Sequence, residues 1–108
     1  MQDRRSEVRM LCADMLEVTW QPPEGRLHIA TALLEDISPS GACLQIEFEL
    51  PVGSRIQWES AGRQFSGIVR YCVYREIGWF VGVEFASGSR WSESSYQPEH
   101  LFDINKML

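Results

Sequence analysis

The chain has 108 residues, 44% of them hydrophobic and 23% charged, which suits one compact core and leaves no room for a second domain or for extensive disorder. Its 10 basic and 15 acidic side chains give a net charge of −5, a field of the wrong sign for a long polyanion such as DNA or RNA. A small anion met by a local basic cluster is compatible with that charge, because screening over about 8–10 Å makes local charge count for more than the total.

No apolar run approaches the ~20 residues of a membrane span, and the start, Met1 to Arg5, is charged and lacks the apolar stretch of a signal peptide. A cytoplasmic protein is expected. Cys12, Cys43 and Cys72 are odd in number and widely spaced, with no CxxC pair, so they are read as reduced thiols and not as zinc ligands or a disulfide framework.

In chain order, residues 1–10 form a basic segment, expected to be flexible, ahead of a barrel over residues 11–86. Strands one and two are placed at 11–20 and 26–35, with irregular alternation. The third, 42–50, alternates cleanly: Ala42, Leu44, Ile46, Phe48 and Leu50 face inward, while Cys43, Gln45, Glu47 and Glu49 face out. The fourth, 55–59, turns Ile56 and Trp58 inward. The fifth, 63–75, puts Phe65, Gly67, Val69, Tyr71 and Val73 on one face, and the sixth, 79–85, does the same with Trp79, Val81, Val83 and Phe85. Pro and Gly clusters separate them, as at Pro51-Val52-Gly53 and Ala61-Gly62. Six short strands with hairpin-length links predict an all-β, six-stranded antiparallel barrel, which hides its strand edges by closing. Residues 87–108 change character to a polar loop and then a short C-terminal helix over 98–107, with Leu101, Ile104 and Leu108 spaced to lie on the barrel.

Two segments are not needed by a barrel. Arg4-Arg5-Ser6-Glu7-Val8-Arg9 is the densest basic cluster in the sequence. A guanidinium fork matches phosphate oxygens in pairs and the O6 and N7 acceptors of guanine; alone, the string also fits a solvated basic tail. Asp36-Ile37-Ser38-Pro39-Ser40-Gly41 lies between strands two and three. Its aspartate can accept two hydrogen bonds from the N1 and N2 donors of guanine, although an ordinary Asx or Ser turn has the same composition.

Together, RRxxxR before the first strand and DxSxxG about thirty residues later resemble the PilZ domain family. The Gly41-Ala42-Cys43-Leu44 strand and the late segment from Gly78 to Phe85 are similar to that family as well, so the resemblance covers roughly residues 4–86. It implies a six-stranded barrel that binds the bacterial second messenger cyclic di-GMP, changes conformation and signals to a separate effector protein. On this resemblance Arg5 and Arg9 take phosphate and guanine edges, with Arg4 as a supporting cation. Asp36 binds guanine N1 and N2, Ser38 binds ligand polar groups, Gly41 leaves room, and Arg70 falls near a further contact. Glu7 and Glu35 lower the local positive field.

No cofactor is implied beyond that ligand. His28, in a strand, and His100, in the C-terminal helix, lack a nucleophile or metal-ligand partner in sequence, and no GxSxG, HExxH or P-loop pattern occurs. No enzymatic activity is therefore expected. Trp20, Trp58, Trp79 and Trp91 are assigned to the core and the barrel mouth. The other readings are a PilZ-like protein-interaction module that binds no nucleotide, and a small oligonucleotide-binding barrel, whose basic, aromatic strand face the acidic strands here do not supply.

Overall fold

Alternating apolar residues dictate strands with one buried face, and the computed structural model assembles six of them: β1 (Met10–Gln21), β2 (His28–Ser38), β3 (Gly41–Ile46), β4 (Arg55–Ser60), β5 (Arg63–Arg75) and β6 (Gly78–Phe85). The structure describes residues 9–60, 62–86, 91, 102 and 103. All pairings are antiparallel, in the order β2-β3-β6-β5-β4-β1, and β1 pairs back onto β2 to close the barrel. Closure leaves no long free edge, as expected for an all-β chain of this size.

The inward side chains form one core. Val18, Leu34, Ile37, Leu44, Val69 and Val81 are inaccessible to solvent, and Trp58, Phe65 and Phe85 stack and tilt on one another with centroids 5.5–6.0 Å apart. Trp20, Trp58 and Trp91 are buried and Trp79 is partly so. Gly53 and Gly62 sit in the turns with φ of +92° and +77°, a region that side chains with a Cβ rarely enter.

Several expectations are corrected. β3 ends at Ile46, so Phe48 lies beyond the strand, exposed and tilted against Trp20 with centroids 5.9 Å apart. On β5 the single inward face from Phe65 to Val73 breaks after Val69. The register runs Val69 to Val83 and then Tyr71 to Gly82, so Arg70 is a bulge residue. One extra residue reverses the pleat: Tyr71 and Val73 turn outward, and Cys72 packs against the core instead.

The helix expected over 98–107 is described only at Phe102 and Asp103, and these two residues are extended. They form β7 (Phe102–Asp103), which pairs with Met10 and Leu11 of β1. β4 pairs with β1 only along Val18 to Gln21, so the backbone groups at the start of β1 need another partner, and β7 supplies it.

Candidate functional site

Three irregularities meet on one stretch of the outer wall. β1 carries a register shift between Leu11 and Asp14, β2 one between Leu34 and Asp36, and β5 one at Arg70. Bulges re-aim side chains, and here they put Asp36 on the outside between two buried residues, Leu34 and Ile37. Cross-strand partners then form a transverse row: Leu11, Asp36, Cys43, Gly82 and Tyr71, on β1, β2, β3, β6 and β5.

Arg9 reaches this row from just before β1. Its Nη2 donates to both carboxylate oxygens of Asp36, each at 3.2 Å. Tyr71, whose ring lies over Gly82, is a polar neighbour of both Arg9 and Cys43. The backbone N–H of Cys43, the register partner of Asp36, favours its carboxylate. The four residues form one polar circuit: Asp36, Arg9, Tyr71 and Cys43. Arginine only donates, so the phenolic oxygen can meet Arg9 only as an acceptor, while the Tyr71 hydroxyl and the Cys43 thiol can each donate or accept.

Gly82 is the gap that lets the circuit close. A Cβ there would collide with the Tyr71 ring, so the ring crosses β6 only because that position has no side chain.

Burial governs the charges of the circuit. It pushes the Asp36 carboxyl above its ordinary value, and the charge and hydrogen bond of Arg9, with the Cys43 N–H, draw it only part of the way back. Burial would lower the Arg9 guanidinium, but Asp36 and Tyr71 together hold it above its usual value. The two partners thus move in opposite senses as regards charge: the pair favours the cation, while the carboxylate remains costly to ionise because Asp36 is the deeper of the two, with side-chain exposures of 57% and 17% for Arg9 and Asp36. Burial, then Asp36, pushes the Cys43 thiol up to about 11. Burial also pushes up the Cys12 thiol, to about 12, and raises Tyr71, which Cys43 raises further and Arg9 lowers. Glu35, in the β2 bulge, is raised by burial and then by Asp36.

Of the sequence-predicted residues, Arg9 and Asp36 are brought together. Arg4 and Arg5 lie outside the described residues, as does His100. Asp36, Ile37 and Ser38 are not in a loop but end strand β2; only Pro39 and Ser40 make the turn. The Ser38 hydroxyl donates to the carbonyl of Gly41 at 3.3 Å and is almost covered. At Gly41 a Cβ would collide with the carbonyl oxygen of Val83, so this glycine admits the close approach of β6. Arg70 does not join the circuit. Its Nε and Nη2 hold Glu84 Oε1 at 3.1 and 2.8 Å, and Glu84 is the register partner of Gly41 on the same wall. Cys43 and Gly82 enter the sequence reading only as strand residues and Tyr71 as an inward one; none is assigned to the site, because no local pattern marks that role, and the bulge at Arg70 is what turns Tyr71 outward. His28 is exposed and stacks on Trp20 with centroids 4.4 Å apart. Among the described residues no three of His, Cys, Asp and Glu converge to hold a metal ion, and no helix is long and apolar enough to cross a membrane.

A closed six-stranded barrel with an arginine from the N-terminal motif set on the aspartate of the second motif defines a PilZ-type domain. The profile of the PilZ domain matches residues 3–95, and the chain belongs to that family. Among solved structures, the Bacillus subtilis inhibitor of motility (MotI/DgrA) shares the fold: TM-score 0.52, 22% identity, covering 81% of this chain and 46% of that one. This chain therefore corresponds to about half the length of that protein. No curated protein matches in sequence.

Proposed function

We propose that this domain is a cyclic di-GMP receptor, without catalytic activity of its own, that signals through a separate effector protein. The observation that carries the reading is the contact of Arg9 with Asp36, residues 27 positions apart in the chain, at 3.2 Å on the outer wall. Guanine offers acceptors on its O6/N7 edge and donors at N1 and N2. A guanidinium and a carboxylate side by side provide the complementary set, and the remaining arginine donors match phosphate oxygens.

In this reading Arg4 and Arg5, with Arg9, clamp the ligand phosphates and guanine edges against the barrel. Asp36 takes guanine N1 and N2. Ser38 and Gly41 shape the turn beneath it, and Arg70, now tied to Glu84, is available to a ligand phosphate by exchange. The conformational response is the closing of the segment that precedes Arg9 over the bound ligand; its arginines, Arg4 and Arg5, gain an anionic partner when the ligand arrives, while Arg9 already has Asp36.

Isothermal titration with cyclic di-GMP tests the reading. Binding by the parent chain, lost in Arg9→Ala and Arg5→Ala while the thermal melt stays within about 1 kcal/mol of the parent, is the expected result. Absence of heat and of any thermal shift in the parent chain at high ligand concentration would favour a protein-interaction module that binds no nucleotide.

A further inference from the structure

We propose that Tyr71, seated on Gly82, is a positioning residue: its hydroxyl holds the Arg9 guanidinium beside Asp36 before any ligand arrives. This rests on the cyclic di-GMP reading above and adds a residue that neither arginine nor aspartate motif contains.

Arginine loses much rotamer freedom when it is ordered. Arg9 is more than half exposed and touches Asp36 through Nη2 alone, a contact about which the guanidinium can swing. The Tyr71 hydroxyl, carried over Gly82 into the same row, is a polar neighbour of Arg9 and offers it a second anchor. Two anchors fix the plane of the fork, so the binding-competent orientation is ordered in advance and less is lost on association.

Tyr71 is itself held. Register places it two strands from Cys43, roughly 9.6 Å away across the sheet, with Gly82 between them. Because Gly82 has no side chain, the ring lies over β6 and reaches toward Cys43 on the next strand. The Cys43 thiol is buried and remains protonated at neutral pH, since burial pushes it up to about 11. It therefore adds no negative charge to compete with Asp36 for Arg9, and the phenolic oxygen has lone pairs with which to accept from Arg9.

The test combines binding with a measurement on the free protein. Tyr71→Phe keeps the ring and removes the hydroxyl, and cyclic di-GMP affinity should fall about tenfold. Gly82→Ala should weaken binding at least as much. In a Tyr71→Ala background, where the Cβ has room, adding Gly82→Ala should cost nothing further. An equal loss from Gly82→Ala in both backgrounds, or parental affinity in Tyr71→Phe, would overturn the proposal. Without ligand, the Tyr71 phenol is followed by its ultraviolet titration, as the difference from the matching Tyr71→Phe protein. Arg9→Ala should move that titration to higher pH, because Arg9 lowers it; no movement would also overturn the proposal. If the parent chain binds no cyclic di-GMP, the receptor reading fails, and the phenol titration alone decides whether Tyr71 holds Arg9.

Discussion

Replacing Asp36 by asparagine preserves the size of the side chain and one carbonyl oxygen while removing the charge. In the free protein, burial dominates the Asp36 carboxyl and outweighs the charge and hydrogen bond of Arg9 and the N–H of Cys43, so its pKa lies above the ordinary value. An acid whose folded pKa exceeds its unfolded one, about 3.9 for aspartate, binds its proton more tightly when folded. Its contribution to stability is complete below the unfolded pKa and is lost as pH rises through the folded pKa. Asparagine has no such loss. Glu35, raised by burial and then by Asp36, acts in the same direction and is partly relieved by the substitution. The stability of Asp36→Asn relative to the parent should therefore improve from pH 3 to pH 7. The opposing quantity is the lost ion pair. With Arg9 57% exposed, that pair contributes at most about 1 kcal/mol, and the carbonyl oxygen of the substituted amide still accepts from the Cys43 N–H. At pH 7 the variant should melt within about 4–8 °C of the parent, while cyclic di-GMP affinity drops on the order of 100-fold or more, the loss of two charged hydrogen bonds. Circular-dichroism melts of both proteins between pH 3 and pH 7, with titration calorimetry at pH 7, measure both. A variant that loses relative stability as pH rises would refute the reasoning, since Arg9 would then outweigh burial and the pair would be a stabilising strut.

Gly41→Ala should destabilise the barrel by about 1–3 kcal/mol, seen as a lower melting temperature, because a Cβ there meets the backbone oxygen of Val83 and pushes β6 from β3; an unchanged melt would show that β6 yields freely. Thiol reactivity should divide by position at pH 8: Cys72, only partly buried, reacts with a disulfide reagent first. Cys12 and Cys43, buried and pushed up to about 12 and about 11, should react only after unfolding. Rapid reaction of all three in the folded state would contradict their burial.

The barrel was legible wherever alternation is unbroken. On β4 and β6 every residue assigned inward is buried or packed on the core, because a strand with one wet face must repeat every two residues. The reading failed where the count of residues departs from the pleat. The bulge at Arg70 leaves no compositional trace: Tyr71 and Val73 continue an apolar series by sequence and yet face water. Asp36 was found through its motif, although it sits in a strand and not in the turn that Pro39 and Gly41 suggest. Cys43, Gly82 and Tyr71 were missed for another reason. They are distant in sequence, ordinary in type, and joined only by register across three strands. At Phe102 and Asp103, two residues of the segment read as helical pair with the free edge of β1, while the rest of 98–107 lies outside the described residues.

The Arg70 bulge also changes which errors the site tolerates. Most substitutions on an outer wall leave a barrel intact, and deleting Arg70 would simply restore the strict pleat of β5. Val69 would stay on Val83 and Tyr71 on Gly82, so both faces of the strand would keep their residues and only the Arg70–Glu84 pair would be lost. A residue removed just beyond the bulge, as at Cys72, would instead turn Val73 toward the core and send the rest of the strand to the opposite face. For a lineage of such domains, loss of a residue should therefore be tolerated at position 70 and be damaging at its neighbours.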